Sequence, residues 1–219
     1  LVKPVGTSAL TDVAIQIVGA DYITYENIDV EDGGTTSADQ IERGYELDVF
    51  PATDDPNDYI TIKGANITMG GGGTPVGLNS AGVLIAYNQT VAGTLTGNLG
   101  CKYQNLNINR ADRGIFTNLP LPFLTIEEDG TEISGCKFGQ TTYIGTSTST
   151  SNAIGIFKRL ELNVSVFNNI VYSVKSNSTA TTGGATGIAI SGASGVCYNN
   201  QVLEVYQGSN VSATALASG

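Results

Sequence analysis

The stretch TGIAISGASGVCYNNQVLEVYQG, residues 186–208, contains three short β-rich runs separated by turn residues. Isoleucine, valine and tyrosine dominate the runs, while Gly, Ser and Asn stand between them, which is the pattern of short strands joined by turns. The same order of three runs occurs in five earlier segments, at 14–32, 44–69, 81–111, 113–139 and 153–176. Such self-similarity indicates a repeat architecture.

The spacing of the repeats sets the predicted fold. The junction of the second and third runs advances by 39, 39, 31, 33 and 31 positions, through Asn27, Asn66, Asn105, Cys136, Asn169 and Asn200. A solenoid coil of three short strands needs something over ~20 residues, so the excess in each repeat must leave as loops. We therefore predict an all-β parallel β-helix (solenoid) of about six coils, with three short strands per coil and long loops. It spans residues 1–208 as a single segment of a longer protein or filament, and residues 209–219 form a flexible tail or the start of a next segment.

Asparagine at the junction has a predicted structural role. A sharp corner between strands favours the left-handed backbone conformation, which Asn tolerates. In stacked coils the side-chain amides can also bond to one another and to backbone groups of the corner. We expect a structural asparagine ladder along the axis, formed by Asn27, Asn66, Asn105, Asn169 and Asn200.

Stacking also predicts which side chains share a face. Alignment of the first runs on Ala14, Gly44, Gly82, Gly114, Gly155 and Gly187 places in one inward row Ile15, Tyr45, Val83, Ile115, Ile156 and Ile188. The adjacent outward row, with a single carboxylate, is Gln16, Glu46, Leu84, Phe116, Phe157 and Ala189. Its apolar members are a candidate interface with a neighbouring chain or domain, unless long loops fold over them: Leu84, Phe116, Phe157 and Ala189.

Composition limits the partners. The 219 residues carry 10 Lys plus Arg against 20 Asp plus Glu, for a formal net charge of -10. A phosphate backbone would be repelled, so nucleic acid is not expected as a partner. No apolar run of about 18 residues is present, so membrane insertion is not expected. The chain opens at Leu1 without a Met or a signal-like segment, which favours a mature product or an excised piece.

Three stretches carry a resemblance to a known family: GADYITYENIDV (19–30), SVFNNIVYSV (165–174) and GIAIS with VCYNNQVLEV (187–205). They resemble the right-handed parallel β-helix repeat proteins of the pectate-lyase-like superfamily. The likeness is closest to large, catalytically unassigned members secreted by Bacteroidetes-type bacteria, and it covers residues 12–208. It implies a right-handed coil and an extracellular or cell-surface location. It does not define an activity, because this fold hosts lyases, hydrolases, adhesins and fibres.

Sugar-cleaving enzymes belong to that superfamily, so catalysis needs a direct test. Its galacturonan hydrolases share Asn-Thr-Asp, Asp-Asp, His-Gly and Arg-x-Lys motifs, whereas this chain has no His and its Asp54-Asp55 pair is flanked by proline. The related lyases use calcium, held by carboxylates on successive coils, and an Arg or Lys base. The one basic cluster with an acid inside it is Arg110, Asp112 and Arg113, the residues to change first if the chain is an enzyme. These motifs favour a protein without enzymatic activity and leave the question open.

No cofactor is implied by the sequence, and calcium is the one ion with candidate ligands. The best candidates are Asp54, Asp55 and Asp58, because Pro56 and Asn57 can bend the loop around an ion. Their spacing matches no known calcium loop. The other acidic clusters are interpreted as solvated charge, including Glu127, Glu128, Asp129 and Glu132.

Three cysteines, Cys101, Cys136 and Cys197, cannot all pair with one another. Their wide spacing matches no metal or redox signature. We interpret them as buried free thiols.

Three functional hypotheses follow. The leading one is an extracellular or cell-surface structural or adhesive module that binds polysaccharide or another surface protein, or assembles end to end into a filament. The second is a polysaccharide lyase or glycoside hydrolase of β-helix fold. The third is a segment of a phage or viral tail fibre, in which the outward apolar row would be the trimer contact.

Overall fold

The computed structural model describes residues 1–7, 12–36, 39–49, 56–70, 80–87, 95–118, 126–145, 152–176 and 184–207. Within these ranges the chain is all-β, with 23 strands and no helix. Accordingly, the described part contains no helix long and apolar enough to cross a membrane. The strands are β1 (Val13–Val18), β2 (Thr24–Glu26), β3 (Val30–Glu31), β4 (Arg43–Val49), β5 (Thr61–Lys63), β6 (Asn66–Thr68), β7 (Ala81–Tyr87), β8 (Leu95–Leu99), β9 (Lys102–Gln104), β10 (Asn107–Asn109), β11 (Arg113–Asn118), β12 (Ile126–Asp129), β13 (Glu132–Ser134), β14 (Lys137–Phe138), β15 (Ala153–Arg159), β16 (Glu161–Leu162), β17 (Val164–Phe167), β18 (Ile170–Val171), β19 (Val174–Ser176), β20 (Ala185–Ser191), β21 (Gly195–Tyr198), β22 (Gln201–Val202) and β23 (Val205–Gln207).

Consecutive strands lie in different sheets, and each strand pairs in parallel with the equivalent strand one repeat away. The first sheet has the order β1-β4-β7-β11-β15-β20, the second β2-β5-β9-β13-β17-β21 and the third β3-β6-β10-β14-β18-β22. We call one pass through these three sheets a coil, numbered 1 to 6. Two smaller sheets, β8-β12-β16 and β19-β23, complete the described strands. The prediction of an all-β chain with parallel sheets of about six stacked strands is confirmed. Coils 3 to 6, however, contain a fourth or fifth strand in place of the expected three.

The register of the first sheet is the one that the glycine alignment predicts. Ile15 pairs with Tyr45 and Tyr45 with Val83, and the inward row continues through Ile115, Ile156 and Ile188. The inward row of the second sheet is Tyr25, Ile62, Tyr103, Ile133, Val166 and Cys197, and that of the third is Val30, Ile67, Ile108, Phe138, Val171 and Val202. The rows meet in one continuous apolar core. Each fully buried Ile or Leu there contributes about 1.5–3 kcal/mol.

Glycine marks the alignment because a side chain would not fit at this position. A Cβ on Gly82 would lie 2.5 Å from Cγ2 of Ile108 in the third sheet and 3.0 Å from the carbonyl oxygen of Gly114. The missing side chain therefore lets the first sheet approach the inward row of the third. Ala14 occupies the equivalent position in coil 1.

The corner between the second and third sheets has left-handed backbone in every coil. The residues at this position, all with positive φ, are Asn27, Gly64, Asn105, Gly135, Asn168 and Asn199. A side chain on Gly64 would collide with Oδ1 of Asn27, and one on Gly135 with Oδ1 of Asn105. Asn168 and Asn199 instead follow each other, and Asn199 Nδ2 donates to Oδ1 of Asn168. Asn and Gly are the residues that adopt this conformation most readily.

This register corrects the expectation of a single asparagine ladder. Asn27 and Asn105 stand at the left-handed corner position, as predicted. Asn169 and Asn200 lie one residue later, where Asn169 Nδ2 donates to Asn200 Oδ1 at 2.9 Å. Asn66 lies two residues later, in β6. The five look equivalent in sequence because loops of different length hide which of several neighbouring residues turns the corner.

A second polar ladder lies inside the coils, where the first sheet leads towards the second. The backbone N–H of Ala20 donates to Oδ1 of Asn57 at 3.2 Å, and that of Asn57 donates to Oδ1 of Asn98 at 2.8 Å. Glu128 and Glu161 pair in register in coils 4 and 5 and continue the ladder. The ladder supplies buried acceptors to backbone N–H groups at a corner where the regular strands are interrupted.

Lys158 lies beside this ladder. Its Nζ is 2.9 Å from Oε2 of Glu128 and 2.9 Å from Oε2 of Glu161, and all three side chains are at most 1% exposed. In coils 2 and 3 the same inward row holds Leu47 and Ile85. The interpretation of Glu128 as solvated charge is therefore wrong, because the residue is part of a strand that faces the interior.

Candidate functional site

The outer side of the second sheet is the candidate site, and we call it the second-sheet face. Its first outward row is Thr24, Thr61, Lys102, Glu132, Ser165 and Val196. The other outward row is Glu26, Lys63, Gln104, Ser134, Phe167 and Tyr198. No member of either row is buried. With strands about 4.8 Å apart, six coils give this surface a length of about 24 Å.

Coils 1 to 4 give the second-sheet face a hydrogen-bonding half. Lys63 Nζ lies 3.2 Å from Oε2 of Glu26. Gln104 Nε2 and Ser134 Oγ each donate to Oε1 of Glu132 at 2.7 Å. Partial burial opposes ionisation of Glu132, but these two hydrogen bonds and the positive charge of Lys102 together outweigh it and lower the pKa of its carboxyl group. Glu132 is therefore an ionised acceptor and not a proton donor near neutral pH.

Coils 5 and 6 give the same face an aromatic half. The rings of Phe167 and Tyr198 stack with centroids 5.1 Å apart and planes 4° from parallel. Tyr198 is 52% exposed, as is Val196 beside it. Stacked, exposed rings next to hydrogen-bonding side chains form an amphipathic surface, with apolar faces and polar groups within reach of one ligand.

A second aromatic stack lies where coils 1 and 2 enter the second sheet. The rings of Tyr22 and Tyr59 have centroids 4.8 Å apart and planes 12° from parallel. Both side chains are exposed. The Phe167–Tyr198 stack lies on the second-sheet face itself, at coils 5 and 6. The Tyr22–Tyr59 stack lies at the other end, at coils 1 and 2, on the corner that adjoins this face. Sequence reasoning did not single out either stack, although the equivalent positions of tyrosine in successive repeats are a signal that could have found the pair in coils 1 and 2.

The carboxylates of the second-sheet face are too far apart for paired acid–base catalysis. Glu26 lies in coil 1 and Glu132 in coil 4, so three coil steps of about 4.8 Å separate them by about 14 Å. The catalytic carboxyl groups of most glycosidases lie about 5–9.5 Å apart. Among the described residues of this face, no pair has the glycosidase spacing.

The predicted apolar row lies on the outer side of the first sheet with the expected register. Leu84, Phe116, Phe157 and Ala189 are successive partners. The Phe116 and Phe157 rings stack 5.1 Å apart, and the Arg113 guanidinium lies 4.0 Å from the Phe116 ring centroid. Leu84 is 4% exposed and the other three members are half-buried. An interface here stays a prediction, and the row is not an open apolar patch.

The predicted basic cluster lies between the third and first sheets, away from the second-sheet face. Arg110 has left-handed backbone, with φ +62. Asp112 is 1% exposed, and its backbone N–H donates to Oγ of Ser80 at 2.9 Å. Burial lowers the pKa of the Arg113 guanidinium. These side chains pack in the protein, and a catalytic role for them stays a prediction.

The predicted calcium ligands are described only in part. Asp54 and Asp55 lie outside the described residues. Oδ1 of Asp58 accepts the backbone N–H of Leu99 at 2.9 Å, and Asn57 belongs to the buried ladder. Among the residues that the structure describes, no group of three or more His, Cys, Asp or Glu side chains is arranged to hold a metal ion. Calcium binding stays a prediction.

Two acids on the outer side of the first sheet were not predicted as a pair. Glu46 was identified as the carboxylate of its row, but Asp48 follows two residues later on the same side of β4. Arg43 Nη1 lies 2.6 Å from Oε2 of Glu46, and Gln16 Nε2 donates to Oδ2 of Asp48 at 3.3 Å. Strand alternation alone could have found the pair. Glu46 is 1% exposed and Asp48 is 3% exposed, so a polymer that lay on this surface would not contact either carboxylate.

Comparison of the chain with protein-family models, with curated protein sequences and with solved structures finds no match in any of the three.

Proposed function

We propose that this chain is a structural and adhesive module of an extracellular or cell-surface protein, and that its second-sheet face binds polysaccharide. The observation that carries the proposal is the composition of this face. Hydrogen-bonding side chains around Glu132 lead along the axis to the stacked rings of Phe167 and Tyr198. Sugar-binding sites combine these two features, because a pyranose ring has an apolar face that packs on an aromatic ring and a rim of hydroxyl groups.

Charge narrows the class of polysaccharide. The chain has a formal net charge of -10, so uronate or sulfate polymers would be repelled. The second-sheet face itself carries two lysines, Lys63 and Lys102, and two glutamates, Glu26 and Glu132, so it offers no excess of positive charge to an anionic polymer. Neutral polysaccharides are therefore the expected ligands.

A right-handed β-helix of the pectate-lyase-like type is part of the same proposal. Parallel pairing of every described strand with the equivalent strand of an adjacent coil supports a β-helix. The hand is supported by a general rule, because crossovers between parallel strands of one sheet are right-handed in nearly all proteins. An experimental structure with left-handed coils would contradict this part of the proposal.

Substitution of one aromatic residue tests the proposed face. Tyr198→Ala removes the exposed ring of the stack, and we expect binding of a neutral polysaccharide to weaken about tenfold, as loss of an aromatic contact does. Tyr206→Ala is the matched control, because Tyr206 is also 52% exposed in coil 6 but lies in β23, outside the second-sheet face. Affinity electrophoresis or isothermal titration measures both. Equal effects of the two substitutions would contradict the placement of the ligand.

A polysaccharide lyase or glycoside hydrolase is the second candidate. Glu46 and Asp48, on one side of β4, favour it, although both are buried. An enzyme would release new reducing or unsaturated ends, and Glu46→Gln would abolish them. If no neutral or acidic polysaccharide releases new reducing or unsaturated ends, this candidate is removed.

Self-association is the third candidate function. End-to-end stacking into a filament, or a tail-fibre trimer built on the outward row around Phe116 and Phe157, would both raise the mass in solution. Sedimentation velocity over a range of concentrations distinguishes them from a monomer that binds polysaccharide or another surface protein.

A further inference from the structure

The corner at which each coil enters the second sheet holds one equivalent residue in coils 1 to 5. Backbone hydrogen bonds link these positions along the axis, for example from Tyr22 N–H to the carbonyl of Asp58 and from Tyr59 N–H to that of Leu99. The five residues, all with left-handed backbone, are Tyr22, Tyr59, Gly100, Gly130 and Asn163. The corner therefore demands the same unusual conformation from each coil.

Tyrosine is a poor choice for this conformation. Tyr22 and Tyr59 have φ of +57 and +56, values that cost a bulky residue about 1–3 kcal/mol and that the next coils satisfy with Gly or Asn. Tyr22 is 77% exposed and Tyr59 is 46% exposed, and neither packs against the apolar core, so core packing does not compensate for the strain. Strained residues cluster at ligand-binding sites, which directs attention to what the rings themselves offer.

The rings border an open space. Tyr22 stacks on one face of Tyr59, and the Tyr59 ring leans over the next coil, where a Cβ on Gly100 would come within 2.7 Å of it. At Gly130, one coil further, a Cβ would meet no described residue closer than the backbone of Gly100, at 3.7 Å. The free face of Tyr59 thus points along the row, over Gly100 and Gly130, into a gap that no side chain of the described residues fills. We call this gap the Tyr59 notch. Its far side is Asn163, in coil 5.

Polar groups lie at the rim of the notch. Asn163 Nδ2 donates to Oδ1 of Asp129 at 2.8 Å. A carboxylate and an amide oxygen have several lone pairs, so both groups can accept a hydrogen bond from a ligand hydroxyl as well. The acids nearest the tyrosines are already engaged, because Asp21 accepts the N–H of Asp58 and Asp58 that of Leu99. An aromatic face opposite an amide and a carboxylate suits a neutral ring with hydroxyl groups on its rim.

We propose that the Tyr59 notch binds one pyranose ring of a neutral glycan, stacked on Tyr59 and hydrogen-bonded to the carboxylate of Asp129, which Asn163 holds in place. This inference rests on the proposed polysaccharide-binding function and adds a defined subsite at the edge of the second-sheet face. The glycines at positions 100 and 130 then have a role beyond backbone conformation, because any side chain at position 130 would occupy the place of the sugar.

Three asparagine substitutions test the notch, because Asn tolerates left-handed backbone and should preserve the fold. Tyr59→Asn removes the stacking face and Gly130→Asn fills the gap. Tyr22→Asn, the control, removes the ring on the side away from the notch. Isothermal titration of the full chain uses cello-, manno-, laminari- and xylo-hexaose as probes. We expect about tenfold weaker binding for Tyr59→Asn and Gly130→Asn and less than about twofold change for Tyr22→Asn.

Stability measurements separate binding from folding. Tyr59→Asn and Tyr22→Asn relieve strain, so their melting temperatures should equal or exceed that of the unchanged chain. Wild-type affinity in both notch variants, with Tyr198→Ala still weakening binding, would overturn the notch and leave the proposed function intact. If the unchanged chain binds no glycan at all, both fail together. Tyrosine rings beside a carboxylate could also attract a cation, so hexalysine is titrated as a further probe. If hexalysine binds at the tyrosines and no sugar does, the choice of ligand is overturned.

Discussion

Lys158 Nζ donates to Oε2 of Glu128 at 2.9 Å inside the core, so the interior of the coil contains a fixed charge. Burial alone would lower the pKa of Lys158, but the carboxylates of Glu128 and Glu161 outweigh it and raise this pKa. Burial raises the pKa of Glu128, although Lys158 opposes the rise. The lysine is therefore charged in the folded protein, and its two partners depend on it for compensation.

Removal of the lysine should be strongly destabilising. Lys158→Met leaves two carboxyl groups buried without a cation, so we expect a loss of about 3–5 kcal/mol in the free energy of unfolding. Urea denaturation measures it. Lys175→Met is the control, because Lys175 pairs loosely with Glu204, at 3.7 Å on the surface, and its loss should cost less than about 1 kcal/mol. Similar small losses in both variants would show that the interior pair is not formed.

The stability contributed by Glu128 should decline as the pH rises. Its pKa is higher in the folded protein than its ordinary value of 4.5, so the folded state binds the proton more tightly. This contribution is fully present below the unfolded pKa and is lost as the pH rises through the folded pKa. Glu128→Gln carries no proton to lose, so its stability relative to the unchanged chain should increase across this window. Urea denaturation at one-unit pH steps from 4 to about 8 checks it, and a difference independent of pH would contradict it.

Gly82 tests the close approach of the first and third sheets. Gly-to-Ala changes inside strands usually stabilise by about 0.5–1 kcal/mol. Here the new Cβ would collide with Ile108, so Gly82→Ala should destabilise by about 1–3 kcal/mol. Ala14→Gly at the equivalent position of coil 1 should change the free energy of unfolding by at most about 1 kcal/mol. A stabilising Gly82→Ala would refute the packing described for this row.

Cysteine labelling reports on the interior. The prediction of buried free thiols is confirmed for Cys101 and Cys136, whereas Cys197 is half-buried. Burial raises the pKa of Cys101 and of Cys136 to about 12, so almost no thiolate is present near pH 8. A disulfide reagent should therefore modify Cys197 alone in the native protein, and all three thiols in urea. Rapid native reaction at three sites would contradict the buried core.

The repeat order and the register of the first sheet could be predicted from sequence, because a steric constraint places glycine at the same position of successive repeats. Glycine recurs where Gly82 and its equivalents contact the third sheet, and counting from glycine gives every inward residue. The asparagine ladder was predicted less well. Asn27 and Gly64 occupy the same corner in successive coils, since the Asn side chain fills the space above the Gly, and a search for Asn alone misses this exchange.

The interior charges and the aromatic stacks could not be predicted in the same way. Glu128 lies between two acidic neighbours, Glu127 and Asp129, which is the usual signature of solvated charge, and only the pairing with Glu161 in the next coil shows that it faces inward. The stack of Phe167 on Tyr198 joins residues from different repeats. Partners of this kind become visible only when the length of each loop, and hence the register, is known.

The most direct test of the account is to incubate the purified chain with neutral and acidic polysaccharides, with and without calcium, and to record binding and new chain ends in the same samples. Binding of a neutral polysaccharide, weakened by Tyr198→Ala and accompanied by no new reducing or unsaturated ends, is the predicted result. Release of new ends that disappears on changing Glu46, Arg110 or Arg113 would contradict it and identify the chain as an enzyme.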